Sequence, residues 1–287
     1  MAVLRTFRAL AILAAGVLSG ACGGEAPRPL PTGVAKRVVS LAPSHTELLF
    51  ALGAGDSIVG VTRFCDRPAE AKTRTAVGDS QSLSLETLAA LEPDLVVLNA
   101  EGVAAALGPM RDRVRTLSVS TDTLPQLLDA VGILGRAVGR EERAKSLRAE
   151  MESSLSDARR RNAARPRTRV LVVVQREPFF VAGAGSYVDA LLAAVGCENA
   201  AADIPAPWPT ISAEALLQHA PDAIIDASLG PAGRTAPEAG IREWWASRFP
   251  LLPAARDGRV RALRDEAALR PGPGVEAALR ALEEAVR

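Results

Sequence analysis

Ser44, His45 and Glu47 stand within four positions of one another and offer, by type, a nucleophile, a base and an acid. Such a set works only when the three side chains converge on one point. Neighbours at a helix start point apart, and the chain has no Gly-x-Ser-x-Gly turn to lift a serine out of an α/β sheet. Ser44 is therefore read as the cap of a helix running from His45 to Leu52. Gly183-Ala184-Gly185 begins like a dinucleotide-binding turn but lacks the rest of that fingerprint. His45 and His219 are the only histidines, so a metal site built on several imidazoles is not expected. These residues predict a protein that is not an enzyme, with no catalytic residue, no resident metal and no cofactor.

Two glutamates are placed with more regularity. Residues 83–97 and 211–225 repeat one pattern at a constant offset of 128 positions. Leu83-Ser84-Leu85-Glu86 is followed by Pro93-Asp94-Leu95-Val96-Val97, and Ile211-Ser212-Ala213-Glu214 by Pro221-Asp222-Ala223-Ile224-Ile225. In each copy serine caps a helix, glutamate in the first turn meets the positive end of the dipole, and Pro-Asp stops the helix before a buried strand. Two copies imply two similar α/β lobes, and a cleft between lobes is a common place to hold a ligand.

The start of the chain points outside the cytoplasm. Arg5 and Arg8 precede an apolar run, Ala9 to Leu18, too short to span a bilayer, and Ser19-Gly20-Ala21 lead into Cys22. Residues 1–22 are read as a signal peptide with Cys22 as lipid acceptor; cleavage near Ala21 without lipidation is the alternative. Residues 23–36, rich in Gly and Pro, form a tether. A net charge of +1 suggests no polyanionic partner. Beyond Cys22, the remaining cysteines, Cys65 and Cys197, fall in different halves of the repeat and are expected to be unpaired.

The elements that must carry these residues alternate as βαβ, which predicts parallel sheets. Strands are expected at Arg37–Leu41, Ile58–Thr62, Leu95–Leu98, Arg169–Val174, Ala223–Asp226 and Val260–Leu263. Helices are expected from Leu124, from Tyr187 to Val195 behind Gly183, Gly185 and Ser186, and from Val275 to Val286. Between the halves, Leu147, Met151, Leu155 and Ala158 recur at helical spacing among charges. That pattern predicts one amphipathic helix of about 33 Å over residues 140–162. The arginines at its end, Arg159 to Arg161, Arg165 and Arg167, lack the neighbouring aromatics that stack bases and read as a solvated helix end, so no nucleic-acid partner is expected. Domain limits follow at 37–139, 140–166 and 167–287.

Several segments taken together resemble the periplasmic substrate-binding proteins that serve cobalamin, ferric-siderophore and haem ABC importers. They are Arg37 to Glu47, Gly60 to Asp66, Glu86 to Val97, Pro207 to Ser212 and Arg270 to Pro273, and the resemblance covers residues 37–287. It is nearest to the cobalamin-binding members. It implies two Rossmann-like α/β lobes joined by one long helix, the helical-backbone metal-chelate receptor type. It also implies a monomeric lipoprotein on the periplasmic face of a bacterial membrane. Such a protein would capture a cobalamin-like corrinoid, or alternatively a ferric siderophore or haem, and deliver it to an ABC permease dimer.

Carried over by position, the resemblance places Glu86 and Glu214 where family glutamates meet permease arginines. Helix-dipole complementation is the plainer reading of both. It places Phe64, Phe180, Trp208 and Arg270 at the ligand cleft. Trp208 stands between Pro207 and Pro209, which fix an extended loop able to hold its flat face out, or to anchor the loop in its own lobe. Arg270 could meet a ligand oxygen or cap the preceding structure. Where cobalamin binders often have first-lobe aromatics, this chain has Ser80 and Asn99, and aromatics are 3% of it.

Overall fold

Val38, Val39 and Ser40 are completely buried, and this short run is the centre of the first sheet. In the computed structural model, residues 32–79, 82–99, 107–228, 237–264 and 269–287 are described. The expectations for Cys22 and the signal segment, for residues 23–31 of the tether and for Ser80 fall outside them.

The first sheet contains β1 (Val38–Ser40), β2 (Ile58–Val61), β3 (Thr75–Ala76), β4 (Leu95–Leu98) and β5 (Arg115–Ser118). Their order is β3-β2-β1-β4-β5 and every pairing is parallel. Helix α1 (Pro43–Ala51) follows β1, with Pro43 in its first turn and Ala42 in the cap position. Proline is pre-set for that first turn, so the helix starts earlier than expected and Ser44 is buried inside it rather than capping it. Gly53, at φ 72°, ends α1.

The second sheet is mixed, which corrects the expectation of a parallel one. It contains β6 (Arg169–Arg176), β7 (Phe179–Val181), β8 (Glu198–Asn199), β9 (Thr210–Ile211), β10 (Ala223–Asp226) and β11 (Val260–Ala262). Strands β6, β8, β10 and β11 run parallel, whereas β7 is antiparallel to both β6 and β9. Only Glu177 and Pro178 separate β6 from β7, too few for a parallel crossover, so the pair closes as a hairpin.

Among the described residues the remaining α-helices are α2 (Leu85–Ala90), α3 (Leu124–Ala137), α4 (Glu141–Asn162), α5 (Tyr187–Ala194), α6 (Ala213–His219), α7 (Glu238–Arg248), α8 (Pro253–Arg256) and α9 (Val275–Ala285). Helix α4 buries Ala144, Leu147, Met151, Leu155 and Ala158, the stripe its spacing predicted. That stripe enters one core shared by both lobes, reaching Leu48 and Val131 on one side and Leu191 and Leu279 on the other. Gly135 is inside α3: a Cβ there would lie 2.5 Å from that of Ala144, so the glycine lets α3 and α4 approach.

The outer face of each sheet has its own core, around Val39, Leu88 and Val96 in the first lobe and Leu171, Ile224 and Trp245 in the second. At the end of β10 the carboxylate of Asp226 is completely buried. It accepts hydrogen bonds from Arg176, from the Trp245 indole at 2.6 Å and from the Ser228 hydroxyl at 2.6 Å. Trp244 is packed between the Arg176 and Arg248 guanidinium groups, 4.0 and 4.8 Å from its ring centre.

Candidate ligand cleft and docking helices

The 128-residue repeat survives in atomic detail. Ser84 Oγ accepts the Thr87 amide at 3.2 Å to open α2, and Ser212 Oγ accepts the Ala215 amide at 3.1 Å to open α6. Each Pro-Asp then clamps its strand to the start of the central one. The Asp94 carboxylate accepts the amides of Lys36 and Arg37, and Asp222 accepts that of Arg169. Glu86 and Glu214 occupy the second position of α2 and α6, and both are exposed. Its own backbone amide and the Ser212 hydroxyl hold the Glu214 carboxyl below the usual range.

The aromatic residues come together through the second lobe's hairpin. Phe180 on β7 pairs in register with Thr210 on β9, which brings the preceding Pro207-Trp208-Pro209 loop alongside. The Phe180 and Trp208 rings stack at 6.2 Å between centres and 26° between planes. Gly183 holds this loop in place: its amide donates to Pro207 O at 2.9 Å, and a Cβ there would lie 2.1 Å from Ala206 O. Gly185 turns at φ 73° into α5, which Ser186 caps. The glycines that failed as a nucleotide fingerprint thus serve this loop and helix.

Trp208 is half-buried against the shared core, and its indole N–H reaches the other lobe, donating to Asp122 Oδ1 at 3.3 Å. Asp122 also accepts the Tyr187 amide on its backbone oxygen at 2.7 Å. It lies between β5 and α3, and it ties the second lobe to the first at two points. Nothing in the sequence marked it beyond a cap-rich stretch, Ser120 to Thr123.

Arg270 makes a further polar crossing. Its Nη1 donates to Glu47 Oε1 at 2.7 Å and to Asp66 Oδ1 at 2.8 Å, both in the first lobe. Burial raises the Glu47 carboxyl above the ordinary range in spite of the Arg270 hydrogen bond. Burial also pushes up on Asp66, but the hydrogen bond and charge of Arg270 together outweigh it and leave that carboxyl low. Phe64, two residues before Asp66, is exposed, with the Arg63 guanidinium 5.0 Å from its ring centre. Beside Glu47, a groove of about 680 Å³ runs past Phe50, Gly55, Arg67, Arg74 and Pro273; Phe64, Phe180 and Trp208 do not line it.

The side chains that could do chemistry diverge. His45 is completely buried with Nε2 2.9 Å from Val119 O, and burial lowers its pKa to about 4 despite that bond, while Glu47 turns to Arg270. His219 lies 3.4 Å from Asp203. Cys65 and Cys197 are free and buried, and no cluster of three or more His, Cys, Asp or Glu among the described residues is arranged to hold a metal ion.

Two α/β lobes on one long helix, with polar contacts crossing between them, define a metal-chelate receptor type of fold. The chain belongs to the periplasmic binding protein family, whose model matches residues 38–267. It is 32% identical over 234 residues to a vitamin B12-binding protein of Salmonella typhimurium, covering 79% of this chain and 85% of that one. It is 28% identical over 260 residues to an uncharacterized ABC transporter substrate-binding lipoprotein of Bacillus subtilis, covering 88% and 80%. A periplasmic heme-binding protein of Pseudomonas aeruginosa superposes with a TM-score of 0.73 at 28% identity, covering 88% of this chain and 93% of that one.

Proposed function

We propose that this protein is an exported, lipid-anchored receptor that binds a cobalamin-like corrinoid between its lobes and passes it to an ABC importer permease. In this reading residues 1–22 are a signal peptide ending at the lipidated Cys22, and 23–36 a tether. Residues 37–139 and 167–287 are the lobes, and 140–166 the connecting helix. The single observation that carries the ligand reading is the stacked Phe180–Trp208 pair, held at the lobe boundary by Asp122. A flat aromatic platform at a cleft suits a planar macrocycle, and Phe64 stands exposed two residues from the interlobe contact of Asp66. The relation to a vitamin B12-binding protein supports the same ligand class.

Exposed Glu86 and Glu214, one at each repeat helix, are the groups we assign to the permease, where paired carboxylates suit paired arginines. The protein acts as a monomer, without catalytic chemistry or a cofactor of its own.

Haem or a ferric siderophore is the second reading, favoured by the likeness to the heme-binding structure. Haem iron takes an axial His, Tyr, Cys or Met. Of the imidazole and phenol donors here, His45 and Tyr187 are completely buried and His219 neighbours Asp203, which favours the corrinoid. Native mass spectrometry of protein purified from cells supplied with cyanocobalamin, haem or a ferric siderophore tests the choice. A corrinoid mass is expected, and a haem or siderophore mass in its place would overturn it.

A further inference from the structure

Arg270 is the cation that a ligand anion would be expected to find, and its geometry argues against that use. One nitrogen, Nη1, carries both carboxylates, with Glu47 at 2.7 Å and Asp66 at 2.8 Å. The side chains of Arg270 and Glu47 retain 21% and 12% of their exposure and that of Asp66 42%, so Asp66 is the most exposed of the three. An anion arriving here meets Asp66 first.

Neighbouring cations are occupied in the same manner. Arg63 pairs with Asp79 at 2.5 Å. Arg67 lies in the field of both Glu47 and Asp66. Asp122 adds a further carboxylate against the edge of Trp208. The first-lobe side of this crossing is thus rich in hydrogen-bond acceptors, and each of these arginines faces a carboxylate. Amide groups, which are neutral and donate N–H, suit such a wall; carboxylates meet like charge.

Resting on the corrinoid reading, we propose that Arg270, Glu47 and Asp66 form an interlobe clasp that makes the cleft selective for chelates with an amide or otherwise neutral periphery over equivalents bearing carboxylates. The clasp sets specificity by withholding its cation from the ligand and by presenting Asp66.

Two matched probe pairs test this: cyanocobalamin against a corrinoid whose peripheral amides are hydrolysed to carboxylates, and the dimethyl ester of haem against haem. Dissociation constants are measured for wild type and for Asp66→Asn, which keeps the Glu47–Arg270 pair and so the crossing between lobes. Wild type is expected to prefer the neutral member by at least about tenfold, and Asp66→Asn to shrink that preference by roughly tenfold. Equal affinities in wild type, or a preference unchanged in Asp66→Asn, overturn the clasp. If neither corrinoid binds, the corrinoid reading fails, and the charge rule is read on the haem pair, where the same order is expected. Failure of all four to bind overturns both.

Discussion

Glu92 and Ala220 both adopt the left-handed conformation, at φ 43° and 40°, and stand 128 positions apart. Each ends the helix of its repeat just before the Pro-Asp that clamps the following strand, so the two lobes share a backbone turn as well as a residue pattern. A left-handed residue with a Cβ costs about 1 to 2 kcal/mol.

Ala220→Gly removes that cost and gains unfolded-state freedom of about 0.4 to 1 kcal/mol against it. The net expectation is stabilisation of up to about 1.6 kcal/mol, read as a higher urea midpoint with an unchanged slope. A lower midpoint would show that the Ala220 methyl contributes more than its strain.

His45 links stability to pH. Burial lowers its folded pKa to about 4 from the ordinary 6.5, so the unfolded chain binds the proton first. Its contribution is fully present above pH 6.5 and is lost as pH falls towards 4, by roughly 3 kcal/mol. Unfolding free energies at pH 7 and pH 4 for wild type and His45→Gln check this. The variant, less stable at pH 7, is expected to lose roughly 3 kcal/mol less on acidification; parallel losses in both proteins would contradict it.

Much of this architecture was legible because it is written in local pattern. The buried stripe of α4, the serine caps of α2 and α6 and the strands at Leu95–Leu98 and Ala223–Asp226 all follow from spacing and turn chemistry. Strands β3 and β9 were not legible: at two residues each, they are defined by their partners and not by a periodicity. Trp208 and Arg270 stood out by type and by the motifs around them. Their partners did not, since Asp122 is 86 positions from Trp208 and Glu47 is 223 from Arg270. Such pairings arise only when the two lobes are assembled.

Charge reversal at the two proposed docking positions separates transport from binding. Glu86→Arg with Glu214→Arg is expected to abolish permease-dependent uptake and to change the corrinoid dissociation constant less than about threefold. Each exposed ion pair lost is worth at most about 1 kcal/mol, and the new cations add repulsion against permease arginines. A parallel loss of corrinoid affinity would place the two glutamates in the cleft or the fold instead.

Anchoring is tested at Cys22. Cys22→Ser is expected to move the protein from the membrane fraction to the soluble fraction, because firm attachment requires more than one acyl chain on the acceptor. Retention of the variant on membranes after a high-salt wash would contradict lipidation at that residue.

The central claim, that the stacked Phe180–Trp208 pair is the platform for a corrinoid, is tested most directly by titrating cyanocobalamin into wild type and Trp208→Ala by calorimetry. Loss of the stacking face is expected to weaken binding by about 1 to 3 kcal/mol, roughly five- to 150-fold, in a variant whose fold is verified by circular dichroism. Tight binding by wild type with an unchanged dissociation constant in Trp208→Ala would contradict the platform, and no binding by wild type would contradict the corrinoid.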